Sequence, residues 1–306
     1  MKVSVAFITY NHERFVARAV ESALMQEPGC DWEIVVGEDA STDRTREIVS
    51  GYAERHPGRF RLLPPAPNLG MHRNAERTLA ACAGEYVALL EGDDYWTAPD
   101  KLRRQAEYLD AHAECSLCFH EILAEYEDGS TAPPPFRRDG SRAIFTFEDI
   151  AAGNFIATCS AMFRNVPRLV FPHWFRGMPM VDWLLFLLIA ERGHIGHLGE
   201  TMAVYRVHGG GIWSSLSGVD VRKKSILACR ILNRHMGRRC GTILKRSISM
   251  WHMEIARILE AGGDPAGAAL HAVRSLAASS FGRKNLRTEL LEILRNSAFG
   301  RSGAAR

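Results

Sequence analysis

The sequence predicts an α/β protein, with a mostly parallel sheet flanked by helices and then a stretch that is helical alone. Three observations predict it. Through the first 125 residues short apolar, β-favouring runs alternate with helical patterns, the rhythm of parallel strands joined by helical crossovers. The strand runs are apolar along most of their length, as strands buried on both faces are. Beyond Val219 the strand signals stop, and apolar residues recur only at helical spacing.

In order, Lys2 to Thr9 reads as the first strand. Glu13 to Met25 follows as a helix, with Phe15, Val16, Ala19, Val20, Ala23 and Leu24 on one face. Trp32 to Val36 is a second buried strand, and Thr42 to Arg55 a helix capped by Ser41 or Thr42. Phe60 to Leu63 is a third strand, ended by Pro64-Pro65, and His72 to Ala81 is a helix. Tyr86 to Leu90 is a strongly apolar fourth strand, and Pro99 opens a helix through Asp110 from its first turn. Ser116 to Ala124, Asn154 to Phe163 and Ile195 to Tyr205 supply further strands, with a helix over Val181 to Arg192 and a loop over Thr131 to Arg142. Ile243 to Leu259 is helical. Gly262-Gly263-Asp264-Pro265 reads as the turn of a helical hairpin, Ala-rich helices follow Pro265 and Asn285, and Gly300 to Arg306 reads as a frayed tail.

The expected organisation is a catalytic domain over 1–218, divided into 1–125 and 126–218, and a basic helical region over 219–306. With 46% hydrophobic and 24% charged residues the chain has material for a core. The net charge of +3 conceals +11 after Gly218 and −8 before it, which suggests two regions with different partners. Seven scattered cysteines argue against a disulfide framework, and the lone Cys115-x-x-Cys118 lacks a second pair for zinc. Met1-Lys2-Val3-Ser4 runs directly into a strand, and Trp183 to Ala190 is too short to span a bilayer. The expected location is therefore the cytoplasm.

Three polar groups fall at predicted strand ends, where open parallel sheets bind ligands. They are Thr9-Tyr10-Asn11, Glu38 to Asp43, and Glu91-Gly92-Asp93-Asp94. Thr9, Asn11 and Asp43 have a plainer reading as helix caps. Three carboxylates in four residues repel one another unless a cation neutralises them, and such hard oxygen donors suit Mg²⁺ or Mn²⁺. The plainer reading there is a solvated acidic turn.

These segments resemble, in order, the motifs of family 2 glycosyltransferases of the GT-A (Rossmann-like) fold. The matching stretches are V-S-V-A-F-I-T-Y-N-H, E-I-V-V-G-E-D-A-S-T-D-R-T, N-L-G-M-H-R-N-A and L-L-E-G-D-D-Y-W. The resemblance covers roughly residues 1 to 215. It implies that Thr9, with Tyr10 and Asn11, lies at the nucleotide, that Asp39 accepts a hydrogen bond from the base, and that Arg73 supplies a cation near base or diphosphate. Asp93 and Asp94 correspond to the D-x-D-type metal site. Glu91 stands where relatives carry Asp, which leaves it between metal and ribose, and Glu38 likewise replaces the usual first Asp of its motif.

Two downstream features complete the implied site. Met180-Val181-Asp182-Trp183 resembles the segment that carries the catalytic base, although Asp182 could also serve as a helix cap. An ionised Asp before Trp183-Leu184-Leu185-Phe186 is costly to bury without a task or partner, and burial would raise its pKa toward a useful value. Tyr205-Arg206-Val207-His208-Gly209-Gly210-Gly211 is similar to a loop that closes over the diphosphate, with Arg206 on the phosphates and His208 in the metal shell. Ile212-Trp213-Ser214 would continue as a flap.

The resemblance thus implies an inverting, metal-dependent transfer from a UDP- or dTDP-sugar to a hydroxyl, with Asp182 as base. The acceptor class stays open among glycan, lipid-linked, protein and small-molecule acceptors. A sugar nucleotidyltransferase is disfavoured because Tyr10 to Arg14 has no glycine to cradle phosphates. The alternative is a non-catalytic module that binds nucleotide-sugar or lipid phosphate. For the basic region over 219–306 the readings are contact with an anionic membrane or acceptor at the inner face, or a solvated face on a packing appendage. Few aromatics interleave its cations, so no nucleic acid is expected.

Overall fold

Val3–Thr9 forms β1, the strand around which the sheet is built. In the computed structural model, which describes residues 1–134, 142–165 and 169–278, the elements that follow it are α1 (Val16–Leu24), β2 (Trp32–Glu38), α2 (Thr45–Arg55), β3 (Phe60–Leu62) and α3 (Gly70–Ala81). Next come β4 (Tyr86–Glu91), β5 (Tyr95–Trp96), α4 (Lys101–Ala111), β6 (Cys115–Tyr126), β7 (Thr131–Ala132) and β8 (Ile144–Phe145). The remainder are α5 (Phe147–Ala151), β9 (Met162–Arg164), α6 (Asp182–Ala190), β10 (His194–Val207), α7 (Gly218–Ala261) and α8 (Pro265–Ala278). The chain divides into two compact units. One is Met1–Ile150 with Asn154–Arg176 and Val181–His208; the other is Ala151–Gly153 with Gly177–Met180 and the chain from Gly209 on.

In the first unit the strands run β3-β2-β1-β4-β9-β6-β10-β5, with β7 beside β6 and β8 beside β10. β3, β2, β1 and β4 are mutually parallel, as are β6 and β10. β9 lies antiparallel between β4 and β6 and joins the two parallel groups. β1, β2 and β4 are buried along nearly their whole length, so both faces of the sheet are covered. One cover is α1, whose Val16, Ala19, Val20 and Ala23 recur at helical spacing and are buried in the core with Val5, Phe7 and Leu90. Each fully buried Val or Leu contributes roughly 1.5–3 kcal/mol. Trp96 and Trp183 are buried with their indole N–H groups donating to the carbonyls of Cys159 and Ile150, which removes the penalty of an unpaired donor.

Several expectations needed adjustment. The run from Asn154 to Phe163 is not one strand: Thr158–Ser160 is a single turn of 3₁₀ helix, and pairing begins only at Met162. Asn154 Oδ1 accepts from the Ile156 amide and Ser160 Oγ donates to the Ala157 carbonyl, local bonds that compete with the ladder. Pro99 lies before its helix, which starts at Lys101, and its carbonyl accepts from the Glu27 amide. The caps proposed for Asn11 and Ser41 or Thr42 do not form, whereas Asp43 Oδ1 accepts from the amide of Thr45, the first residue of α2 (2.9 Å). Cys115 and Cys118 are buried core thiols on β6. The helix after Asn285 and the tail at Gly300 to Arg306 lie outside the described residues, as does most of the Thr131 to Arg142 loop.

The second unit contains α7, 44 residues long and interrupted where Cys240 leaves helical geometry. Gly262 and Gly263 end it, and α8 packs back on it as the expected hairpin. Met253, Ala256, Ala268 and Ala272 form its small core, while Ser249 bonds Ser275 and His252 bonds His271. Among the described residues no helix is long and apolar enough to cross a membrane.

Candidate active site at the strand ends

Register brings the three polar groups together. Ile8 on β1 lies opposite Gly37 of β2 on one side and Glu91 of β4 on the other, so the three strands end at one level. The loops after β1 and β2 then interlock. Asn11 Oδ1 accepts from the Thr42 amide (2.8 Å), and Ser41 Oγ accepts from the Asn11 amide (3.0 Å). Asp43 accepts from the Glu13 amide (3.0 Å) and Thr45 Oγ1 from the His12 amide (2.7 Å). Asn11 and Ala40 both hold left-handed backbone, with φ of 55° and 56°. For Ala40 that conformation costs on the order of 1 kcal/mol, which the interlocking bonds offset. Asp39 anchors the next loop: its two carboxylate oxygens accept from the amides of Leu69 (2.8 Å) and Gly70 (2.9 Å).

The acidic turn sits directly over this clasp. The Gly92 amide donates to the Ile8 carbonyl (2.9 Å), and a Cβ on Gly92 would overlap Thr9 Oγ1 and His12 Nδ1. Glycine is required there because the two strand ends touch. Asp93 Oδ2 faces two imidazoles, His208 Nε2 at 3.2 Å and His12 Nε2 at 3.6 Å. Enclosure alone would raise the Asp93 carboxyl, but the His208 hydrogen bond and the His12 charge outweigh it and hold the group below its ordinary pKa. Asp94 is turned inward and 1% exposed, with Oδ1 accepting from the Arg206 amide (2.9 Å). Burial, then the neighbouring Asp93 charge, pushes its pKa well up. Glu91 is pushed up by enclosure and by the charges of Asp93, Asp94 and Asp182.

Asp93, Asp94 and His208 are therefore placed unequally. Asp93 and His208 are in contact, whereas Asp94 is engaged by the backbone behind them. Among the described residues no group of three or more His, Cys, Asp or Glu side chains is arranged to hold a metal ion. Arg206 is also engaged. Its Nε meets Glu125 Oε2 at 3.2 Å, its NH1 donates to the Asp93 carbonyl at 2.7 Å, and its guanidinium lies over the Tyr95 ring. Thr9 Oγ1 lies 3.2 Å from His12 Nδ1. Tyr10 (42% exposed) and Arg73 are on the surface, with no side-chain hydrogen bond or ion pair among the described residues.

Asp182 is the first residue of α6. Its Oδ1 accepts from the Trp183 amide (2.8 Å) and its Oδ2 from Asn154 Nδ2 (2.7 Å). Enclosure pushes its pKa up to about 6, although both hydrogen bonds favour the charged form. Its charge is felt by Glu91 of the acidic turn, so the fourth carboxylate shares one electrostatic field with the strand-end cluster.

Sequence reasoning missed His12, Glu125 and Asn154. His12 stood in plain view beside Asn11, but its approach to Asp93 joins positions 81 residues apart. Glu125 and Asn154 lie in no recognisable motif and enter only through their partners, Arg206 and Asp182.

A mostly parallel sheet carries interlocked strand-end loops, an acidic turn and an enclosed carboxylate, and comparison names the family. Residues 4–169 match the model for glycosyl transferase family 2, and the chain belongs to that family. Among its relatives, an uncharacterized protein of Mycobacterium tuberculosis is 40% identical over 223 residues, 70% of this chain and 61% of the relative. The chain thus spans about three-fifths of that relative's length. An uncharacterized glycosyltransferase of Nostoc is 31% identical over 222 residues, covering 68% of this chain and 66% of its own length. Among solved structures, S. aureus TarS 1-349 with UDP-GlcNAc superposes with a TM-score of 0.62 at 16% identity, covering 100% of this chain and 93% of that one. The mannosyltransferase PcManGT of Pyrobaculum calidifontis, with GDP-Man and Mn²⁺, gives 0.59 at 19%, covering 98% and 88%. These structural likenesses establish the GT-A fold.

Proposed function

We propose that the protein is an inverting glycosyltransferase that moves a sugar from a UDP- or dTDP-sugar to a hydroxyl acceptor, with Asp182 as general base. The observation that carries this reading is Asp182 itself, enclosed at the start of α6, held by the Trp183 amide and Asn154 Nδ2, with a pKa pushed up to about 6 and a charge that helps raise Glu91 of the acidic turn. A carboxylate in that range is ionised near neutrality yet basic enough to accept a proton. It would take the proton of the acceptor hydroxyl as the oxygen bonds to the anomeric carbon. The bond from that carbon to the diphosphate oxygen breaks on the opposite face, and the configuration inverts.

The remaining side chains position the donor. Thr9, Tyr10 and Asn11 would line the nucleotide, and Asp39 would accept from the base through lone pairs its two amides leave unused. Arg73, exposed on α3, would reach the base or diphosphate, and Glu91 the ribose side. Arg206 would fix Asp93 through its carbonyl and add positive charge beside the diphosphate. A divalent cation would be held by Asp93 and His208, with Asp94 behind them. One carboxylate beside imidazole nitrogen suits Mn²⁺ better than all-oxygen Mg²⁺. When bound, such an ion neutralises charge developing on the departing diphosphate.

The relatives support nucleotide-sugar donors in general, since TarS is described with UDP-GlcNAc and PcManGT with GDP-Man. The acceptor would be a glycan, lipid-linked intermediate, protein or small molecule. The test is nucleoside diphosphate release from UDP-, dTDP- and GDP-sugars, with Mn²⁺ and with chelator, by wild type and Asp182→Asn. Metal-dependent release by wild type alone is expected. Donor binding with no release from any donor by wild type would favour a non-catalytic binding module instead.

A further inference from the structure

The longest run without a negative charge in the chain is on α7. Between Val221 and Met253 there are nine Lys and Arg and no Asp or Glu. The structure turns part of that run into a stripe. Lys223, Leu227, Arg230, Arg234 and Arg238 are all exposed, and their spacing of four, three, four and four places them along one face of the helix. Among the described residues Lys223 reaches only Asp220, at 3.7 Å and a turn away. Arg230, Arg234 and Arg238 have no ion-pair partner among the described residues. Among the described residues the positive charge of Arg230, Arg234 and Arg238 is therefore uncompensated.

Apolar groups accompany it. Leu227 is 48% exposed in the middle of the cations. In the loop that leads into α7, Ile212 is 54% exposed, and Lys224 lies 5.5 Å from the centroid of the Trp213 ring. Arg and Lys around an exposed Leu, with Trp213 beside Lys224 and the exposed Ile212 next to it in the chain, match the interfacial layer of an anionic bilayer. There the cations meet headgroups, while Trp and aliphatic side chains enter the acyl boundary. A nucleic acid would instead call for aromatic rings spaced along the cationic track, and the stripe has none.

We propose that this face of α7, with Ile212 and Trp213, docks on an anionic lipid surface. The proposal does not rest on the transferase reading, and its assay uses no donor. The loop with Ile212 and Trp213 follows His208 in the chain after three glycines, so lipid contact and the strand-end site would be linked through a short, pliable segment.

Co-sedimentation of the full chain with vesicles tests the proposal, using phosphatidylcholine alone and phosphatidylcholine with a third of phosphatidylglycerol. Binding is expected only to the anionic vesicles, falling as salt is added. Each cation near the surface strengthens partition about fivefold, so Lys223→Gln, Arg230→Gln, Arg234→Gln and Arg238→Gln together should weaken it several hundred-fold, roughly. Arg55→Gln, an exposed cation on α2, should leave it unchanged. Leu227→Ala with Ile212→Ala should weaken it about tenfold. All substituted side chains are exposed, and circular dichroism checks that the variants stay folded. Equal binding to neutral vesicles, wild-type binding insensitive to salt, or a folded quadruple variant that binds like wild type would each overturn the proposal. So would binding to RNA but not to vesicles, or indifference to the Leu227 and Ile212 changes.

Discussion

Replacing Asp182 by asparagine keeps the side chain's shape and removes its charge, and the consequences for stability and activity should have opposite signs. In wild type the carboxyl's pKa is pushed up to about 6 from an ordinary 3.8. The folded state therefore holds a proton that the unfolded state releases, and stability falls as pH rises from about 4 to about 6. The full difference corresponds to about 3 kcal/mol. Asparagine has no such term. It can still accept from the Trp183 amide, but its own NH₂ group would face Asn154 Nδ2. Asn154 must then rotate and give up its bond from the Ile156 amide, at a cost of about 1 kcal/mol. Asp182→Asn should accordingly be about 1 kcal/mol less stable than wild type near pH 4 and about 2 kcal/mol more stable above pH 7. Denaturant unfolding across that pH range measures this directly. Sugar transfer should fall on the order of 10²–10⁴-fold. A stability difference that does not change with pH would refute the assigned electrostatic environment, and retained turnover would refute the assignment of the base.

Asn154→Ala removes a donor that favours the ionised form of Asp182. The acid limb of the pH–activity profile should move to higher pH by about one unit, and an unmoved limb would mean that another group sets it. Lys101 is completely buried on α4, donates to Gln105 Oε1 (2.7 Å), and has its pKa pushed down to about 7 by burial. The unfolded state therefore binds the extra proton, and stability should rise with pH between about 7 and 10.5. Lys101→Met should abolish that slope and raise the unfolding free energy at pH 7 by roughly 1–3 kcal/mol, as seen in denaturant titrations. Gly92→Ala would drive a methyl group into Thr9 Oγ1 and His12 Nδ1. It should cost about 1–3 kcal/mol and weaken donor binding measured by calorimetry; unchanged binding would show that the two strand ends can part without consequence for the donor.

Much of the first unit was legible because its signals are local. Apolar runs such as Tyr86 to Leu90 and helical spacings such as Val16, Ala19, Val20 and Ala23 depend only on near neighbours, and they alone determined the strand–helix alternation and hence the parallel core. The strand-end position of Thr9, Asp39 and Glu91 followed from the same alternation. Local reading failed at Asn154 to Phe163, where an apolar stretch was diverted into a 3₁₀ turn by side chains bonding their own backbone. It failed also to distinguish Asp93 from Asp94, which are adjacent in sequence and differ only in direction. Tertiary structure decided that Asp93 meets His208 and His12 while Asp94 points back to the Arg206 amide, 112 residues away in the chain. It also decided that Arg206 is held by Glu125 and that Asn154 reaches Asp182. The physical reason is the same in each case. Periodicity is a property of a segment, whereas a carboxylate's partners, and hence its pKa, depend on which distant segments the folded sheet brings beside it.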